Sequence, residues 1–363
     1  MVRGGLIGCG NVVQQFHAPV WRALHEQVRI EAIADADAAA LARVSAQLGS
    51  PCASYADVDA LLDAHPNLDF VSIATPGFTH YPLVIKAIQR GLHVLVEKPL
   101  ALSLADARDV TQRAAAAGVQ VCVAHTYRYR DAVLAIREAL ADGRIGRVYQ
   151  VDTTHHGESI FNDPASWIWQ ERQHRVLLYE HAIHFLDLHT YFAGPVERVL
   201  TLTVRTDEHL HCTTHVYALL EHTSGAVGRI DLQLFASSNF THVQVFGTAN
   251  DATMKFSPEA SYLYSGRVNP LDEALLALKR TADFVVPTLR EKVRPPRLPR
   301  KARSHDRLLS GFVAALGDRS QPVPVSAADV LPTMELLEVL AQPTYAAAAS
   351  AAPVSGSARR TDR

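Results

Sequence analysis

Three groups of residues in this 363-residue chain have the types and spacing that chemistry requires. The first is Glu97-Lys98-Pro99, directly behind the apolar run His93–Val96. A lysine placed at a strand end and fixed by a following proline is an odd choice for a charge meant only for water. The second is Leu178-Tyr179-Glu180-His181-Ala182-Ile183-His184-Phe185-Leu186-Asp187, in which Glu180, His184 and Asp187 share one face of a helix by i, i+4 and i, i+3 spacing. The third is Gly8-Cys9-Gly10, between the apolar run Val2–Ile7 and a helical pattern that starts at Asn11. Together these types suit oxidation of a C–H(OH) carbon, where a proton leaves the hydroxyl as hydride leaves the carbon. A histidine takes such a proton near neutral pH, a cationic lysine stabilises the charge that develops on the oxygen, and a carboxylate orients the imidazole or binds a neighbouring hydroxyl. His184 is thus the candidate base or acid, Lys98 the electrostatic partner, and Glu180 the orienter or substrate ligand.

The elements that must position these groups alternate in the first half. Strand-like runs at Val2–Ile7, Val28–Ala34, 70–74, His93–Val96 and 120–124 are separated by helix-like segments at Ala38–Leu48, 56–64, 81–90 and Leu104–Ala117. Short apolar runs separated by helices predict a doubly wound parallel sheet covered on both faces. A strand turning on glycines into a helix offers backbone N–H groups at a positive helix end, which suits a pyrophosphate. Ligands of such a sheet bind at the carboxyl ends of its strands, so Lys98 points at the site. Asp35, at the end of the second strand, can accept hydrogen bonds from an adenosine ribose diol and repel a 2′-phosphate; alternatively it caps the next helix. Residues 35–42 hold no arginine for such a phosphate, so NAD is favoured over NADP. Asn11 and Val12 at the helix start, Thr75 and Pro76 behind another strand, and Glu97 complete the candidate cofactor set. His80 joins it, with a packing role as its alternative.

The second half reads differently. His125 to Arg130 marks a crossing between domains, followed by a helix at 132–142 and a strand at 147–153. Residues 209–220 alternate His209, His211, Thr213, His215 and Tyr217 against Leu210, Cys212, Thr214, Val216 and Ala218, which gives one core face and one polar face turned to solvent, a pocket or a subunit. Residues 228–235 set Ile230, Leu232 and Leu234 opposite Arg229, Asp231 and Gln233. A meander of this kind predicts an α+β domain whose large, mostly antiparallel sheet carries helices on one face. Helices return at 305–316 and 327–340. Trp167 and Trp169 offer aromatic faces to a sugar or fill an interface.

Gly8-x-Gly10 with His17-x-Pro19, Thr75-Pro76 with His80, and Glu97-Lys98-Pro99 resemble the Gfo/Idh/MocA family, named for glucose–fructose oxidoreductase and inositol dehydrogenase. The resemblance spans residues 2–341 and implies an N-terminal Rossmann domain (1–125) and a substrate-binding and oligomerisation domain (126–345); the Ala/Ser-rich, charge-ended composition of 346–363 predicts a disordered tail. It implies an NAD(P)-dependent dehydrogenase or reductase acting on a secondary hydroxyl of a sugar, sugar derivative or cyclitol. Lys98 matches the family lysine that binds substrate and assists catalysis. His184 and Asp187 match its His-x-x-Asp pattern, and Glu180 stands at the usual aspartate. His181 falls in the substrate set with them. Arg128 matches a frequent family arginine, either a ligand contact or an interdomain salt bridge. Departures are Val13 for the usual Ala or Gly, Ala182 for a common glycine, and a missing glycine pair before Glu180. Pairing through the exposed sheet face implies a homodimer or homotetramer. The family also includes non-catalytic NAD-binding regulators and enzymes that cleave glycosides through transient NAD oxidation, which remain alternatives.

Composition bounds the rest. With 48% hydrophobic and 20% charged residues the chain is of globular type, and a net charge of −2 gives no reason to expect nucleic-acid binding. Four scattered cysteines form no C-x-x-C pair, so buried thiols in a reducing compartment are expected. No apolar stretch is long enough for a membrane span and no basic leader precedes the first strand, which points to the cytoplasm. Eighteen histidines invite a metal, but Glu180, His181 and His184 cannot all point one way from one helix, and no H-E-x-x-H occurs. Residues 290–303 carry seven Lys/Arg and three Pro against one acid, an extended arm or a site for an acidic substrate group.

Overall fold

The computed structural model describes residues 1–157, 178–207, 212–236, 239–256, 259–264, 278, 302–318 and 320–341. Trp167, Trp169, the tail and nearly all of the basic arm lie outside the described residues. The first half is a six-stranded parallel sheet in the order β3-β2-β1-β4-β5-β6, formed by β1 (Val2–Ile7), β2 (Val28–Ala34), β3 (Ala53–Tyr55), β4 (Phe70–Ile73), β5 (His93–Val96) and β6 (Val121–Val123). This is the doubly wound order, with the switch between β1 and β4. β4, β5 and β6 are buried along their whole length, which is why they read as unbroken apolar runs.

The helices between the strands are α1 (Ala18–Ala23), α2 (Ala38–Leu48), α3 (Val58–Ala64), α4 (His80–Gln89) and α5 (Leu104–Ala117). Asp57 and Ser103 cap α3 and α5 by accepting from the N–H groups of Ala60 (2.9 Å) and Asp106 (3.0 Å). Gly118 ends α5 at φ 64°, a left-handed conformation that a Cβ would strain. Before α1 the chain forms a π turn over Val13–His17, in which the Ala18 N–H reaches the Val13 carbonyl five residues back. The widening starts at Val13, the residue that replaces the family's small one.

The second half is a seven-stranded sheet in the order β13-β12-β11-β7-β10-β9-β8, made of β7 (Val148–His156), β8 (Val196–Asp207), β9 (Cys212–His222), β10 (Val227–Gln233), β11 (Phe240–Gly247), β12 (Asp251–Phe256) and β13 (Glu259–Tyr264). It is mostly antiparallel but not a plain meander, because β7 inserts between β11 and β10 and pairs parallel with β10. The helices α6 (Asp131–Ala141) and α7 (Ile183–Ala193) pack against it. The alternation expected along β10 holds, with Ile230, Leu232 and Leu234 buried. On β9 it fails at one end. Thr213 is buried, not outward, because the β8–β9 register shifts between Arg205 and Thr206, opposite it. An extra residue in one strand moves the following side chains to the other face.

Late in the chain, α8 (Arg303–Gly317) and α9 (Leu331–Leu340) return to the first half, α8 against β1 and α1 and α9 against α5 and α7. A single core cluster therefore contains Leu6 and Val94 of the parallel sheet, Leu186 of α7, Ile230 of β10, and Phe312 and Leu337 of the last helices. Cys9 and Cys122 are buried free thiols, both pushed up to about 12 by burial, so neither is a nucleophile at neutral pH. No helix among the described residues is long and apolar enough to cross a membrane.

Candidate active site

A cleft of about 890 Å³ lies along the carboxyl ends of the parallel strands, a size typical of small-molecule and cofactor sites. Gly8, Gly10, Asn11, Val12, Asp35, Thr75, Pro76, Glu97 and Lys98 all line it, as does Glu180 from the second half. Gly8 has φ 95°, and a Cβ there would run into the Ala74 carbonyl oxygen; a Cβ on Gly10 would meet nothing within 4 Å. The turn is therefore closed on its protein side and open on its cleft side, a cradle that fits a pyrophosphate.

Asp35 holds this turn in place. Its Oδ2 accepts from the Cys9 N–H at 2.6 Å and its Oδ1 from the Asp37 N–H at 2.8 Å. It does not cap α2; Asp37 does, accepting from the Ala39 N–H at 2.8 Å. Arg43, one residue beyond the arginine-free run 35–42, lines the same end of the cleft. There it lies 3.6 Å from Asp37 and donates to Gln14 Oε1 at 3.3 Å. With Asp35, Asp37 and Asp57 lining that end against Arg43, the charge balance is anionic, which suits a ribose diol better than a 2′-phosphate. The residues present thus fit NAD.

At the other end of the cleft the two halves meet. Lys98 Nζ donates to the backbone oxygen of Glu180 at 2.7 Å and to its Oε2 at 3.0 Å, with both side chains largely buried. Glu180 Oε1 is buried with no hydrogen-bond partner among the described residues, on the side facing Gly77. Glu180 sits in a second π turn, Leu178–Ala182, directly before α7. Both π turns therefore supply a side chain to Glu97-Lys98: His17 Nε2 meets Glu97 Oε1 at 2.9 Å, and Glu180 meets Lys98. Wide turns of this kind recur at functional sites because they re-aim one side chain without ending the helix.

His184 follows Glu180 by one turn and is not among the residues lining the cleft. Its ring stacks on Tyr127 at 4.2 Å and 14°, and its Nδ1 is buried with no hydrogen-bond partner among the described residues. Burial pushes its pKa well below the ordinary 6.5, aided by the charge of Lys98 and by His125 and His181, while Asp187 opposes them. It is a neutral imidazole at pH 7. His181 Nε2 meets His155 Nε2 at 2.9 Å, and burial with the nearby Lys98 pushes His181 down to about 4.

Asp187 is wholly buried and gathers its partners from the segment after β6 and from α9. Arg128 donates Nε to its Oδ2 (2.8 Å) and an Nη2 proton to its Oδ1 (2.7 Å), and Thr333 Oγ1 adds a bond at 3.0 Å. His125 stands 3.3 Å away. Burial alone would raise the Asp187 carboxyl, but His125 and Arg128 hold it far below the usual carboxylate range. Arg128 is engaged in a buried salt bridge to Asp187 of α7, from the segment just after β6. His80 is turned inward, Nδ1 at 2.6 Å from the Pro99 oxygen and Nε2 at 2.8 Å from the Thr75 oxygen, which braces the loops around the cleft. Sequence reasoning missed Arg43, Asp37, Asp57 and Tyr127; for the aspartates the signal was their position just before helices, in the loops that follow strands.

Comparison with known proteins agrees with this geometry. Residues 2–125 match the oxidoreductase family with an NAD-binding Rossmann fold, and residues 133–253 match the Gfo/Idh/MocA C-terminal domain. The chain is 33% identical to a D-apiose dehydrogenase of Paraburkholderia graminis over 63% of this chain and 60% of the relative. It is 30% identical to an inositol 2-dehydrogenase of Gluconacetobacter diazotrophicus over 65% of this chain and 68% of the relative. The match thus spans less than two thirds of the apiose dehydrogenase. Among solved structures, an oxidoreductase from Agrobacterium radiobacter in complex with NAD+, L-tartaric acid and magnesium shares the fold with a TM-score of 0.71 at 24% identity, covering 93% of this chain and 94% of that one. The WlbA dehydrogenase of Bordetella pertussis, in complex with NADH and UDP-GlcNAcA, shares it with a TM-score of 0.73 at 20% identity and the same coverage. A glycine turn held by Asp35, a lysine behind the fifth strand and two matching domain families lead to one conclusion: the chain belongs to the Gfo/Idh/MocA family of NAD-binding oxidoreductases.

Proposed function

We propose that the protein is an NAD-dependent dehydrogenase that oxidises a secondary hydroxyl of a sugar, sugar derivative or cyclitol, or reduces the matching ketone. The observation that carries this reading is the contact of Lys98 with Glu180 at the end of the cofactor cleft, one helical turn before His184. The family's NAD-binding domain and relatives named for apiose and inositol supply the substrate class.

Bound in the cleft, the dinucleotide would supply a hydride acceptor or donor. The protein's own groups do the rest. The Lys98 ammonium, held by Glu180, presents positive charge to an oxygen that becomes anionic as its proton leaves. His184, neutral at pH 7, takes that proton during oxidation and returns it during reduction. The carboxylate of Glu180, which lines the cleft, accepts from a neighbouring substrate hydroxyl. By the same reading, copies of the chain pair through the face of the second sheet that carries Tyr217 and Val227.

The test is a panel of sugars and cyclitols with NAD+ and NADP+, followed at the reduced-nicotinamide absorbance band. The expected result is turnover of at least one compound, with kcat/KM for NAD+ about tenfold or more above that for NADP+. NAD+ binding without absorbance change across the panel would favour a regulator, and glycoside cleavage without net NADH would mark the transient-oxidation route; either contradicts the proposal.

A further inference from the structure

Beside Lys98, around the carboxylate of Glu97, lies a cluster that extends beyond the residues lining the cleft. It consists of His17 from the first π turn, Glu97 at the end of β5, and His305 from α8 near the end of the described chain, with one ligand-type atom of each within 4.8 Å of the others. His17 is fully buried and Glu97 nearly so. His17 Nε2 bonds Glu97 Oε1 at 2.9 Å, and its Nδ1 stands 3.4 Å from Ser72 Oγ. The second carboxylate oxygen, Oε2, accepts from the backbone N–H of Lys98 at 3.3 Å. His305 lies flat on Phe16, ring centroids 4.4 Å apart and planes 5° from parallel, and its centroid is 5.8 Å from that of His17. Its Nδ1 is buried without a hydrogen-bond partner among the described residues.

We propose that His17 and His305 are positioning residues for Lys98, acting through the carboxylate of Glu97. A buried carboxylate is held in one place only if its lone pairs are matched. Here one oxygen is matched by an imidazole and the other by the amide of the lysine that the site uses. Locking the carboxylate therefore locks the peptide that carries Lys98, and with it the direction in which Nζ reaches Glu180. Burial alone would push the Glu97 carboxyl up; the His17 bond, with the charges of His17, His305 and Lys98, holds it at about 2, so it stays anionic. A metal is the rival occupant, since two histidines and a carboxylate could ligate one. The nearest pair of atoms, however, is already closed by a hydrogen bond of ordinary length.

The inference rests on the functional reading only for the use made of Lys98, and its test has a readout independent of turnover. The rate at which acetic anhydride acylates Lys98 is measured by peptide mass spectrometry, with Lys86, paired to Asp59 elsewhere on the surface, as internal reference. His305→Phe keeps the stack on Phe16 but removes both ring nitrogens; His17→Phe removes the donor to Glu97, and His17→Gln restores one. The expected result is a rise of about threefold or more in Lys98 acylation relative to Lys86 in both Phe variants, and recovery towards wild type in His17→Gln. In the same variants kcat on the best panel substrate falls about tenfold while KM for NAD+ stays within about twofold. Unchanged acylation of Lys98 in both Phe variants would overturn the proposal, as would stoichiometric zinc in the purified protein. If instead Lys98→Ala keeps full turnover while the acylation pattern holds, the functional reading fails and the positioning role stands.

Discussion

The division of labour among the charged residues is set by what each one is paired with. Lys98 and Arg128 both pair with carboxylates in or just before α7, yet their partners differ in kind. Lys98 bonds a cleft-lining carboxylate whose other oxygen has no partner among the described residues, whereas Arg128 spends Nε and Nη2 on Asp187 inside the protein. An arginine used that way supports the fold, and its removal strands a buried carboxylate. Arg128→Ala should therefore destabilise the protein by about 3–5 kcal/mol, read from urea unfolding. A loss under about 1 kcal/mol with a large rise in substrate KM would instead make Arg128 a ligand contact. The sequence made Lys98, Asp35 and the glycine turn legible because each is defined by neighbours a few residues away. It could not show that Asp187 joins Arg128 across 59 positions, or that Arg43 swings back to the cleft, because those facts exist only once helices are packed.

Local elements carry more of the site than their periodicity showed. The helices Ala38–Leu48 and Leu104–Ala117 and the strands Val2–Ile7 and His93–Val96 lie where apolar spacing put them. The two π turns leave no such trace, since an added residue per turn changes phase without changing composition. They nevertheless aim His17 and Glu180 at the two charges behind β5. The glycine turn depends on backbone in the same way. Gly8→Ala would place a Cβ against the Ala74 carbonyl at φ 95°. The expected loss is about 1–2 kcal/mol of stability from the left-handed conformation alone, with NAD+ affinity falling at least tenfold as the cradle shifts. Calorimetric Tm and NAD+ titration of the same sample check both, and wild-type affinity in this variant would refute the cradle.

At the scale of the molecule, the buried histidines join the site to the stability of the whole chain. Burial pushes His155 and His189 down to about 3, and His181 and His305 down to about 4, from an ordinary 6.5. Between pH 6.5 and about 3 to 4 the unfolded chain binds protons that the folded chain refuses. The stabilisation is complete above 6.5 and is lost as pH falls through that window. Glu97 acts in the same direction lower down, since it is held at about 2 against an ordinary 4.5 and its contribution disappears as pH falls from 4.5 towards 2. Urea unfolding at pH 7.5 and pH 5 should show a clear drop in stability on acidification, near 1.4 kcal/mol per pH unit for each proton taken up on unfolding. Equal stability at the two pH values would mean that these imidazoles are not held neutral.

The central claim is that two halves of the chain assemble one hydride-transfer site from Lys98 on one side and His184 on the other. Its most direct test is turnover of the best panel substrate by Lys98→Ala and His184→Ala, with NAD+ affinity titrated in the same preparations. The account predicts that kcat falls about 10²-fold or more in each variant while the Kd for NAD+ stays within about threefold of wild type. Full activity in either variant, with NAD+ bound normally, would contradict it.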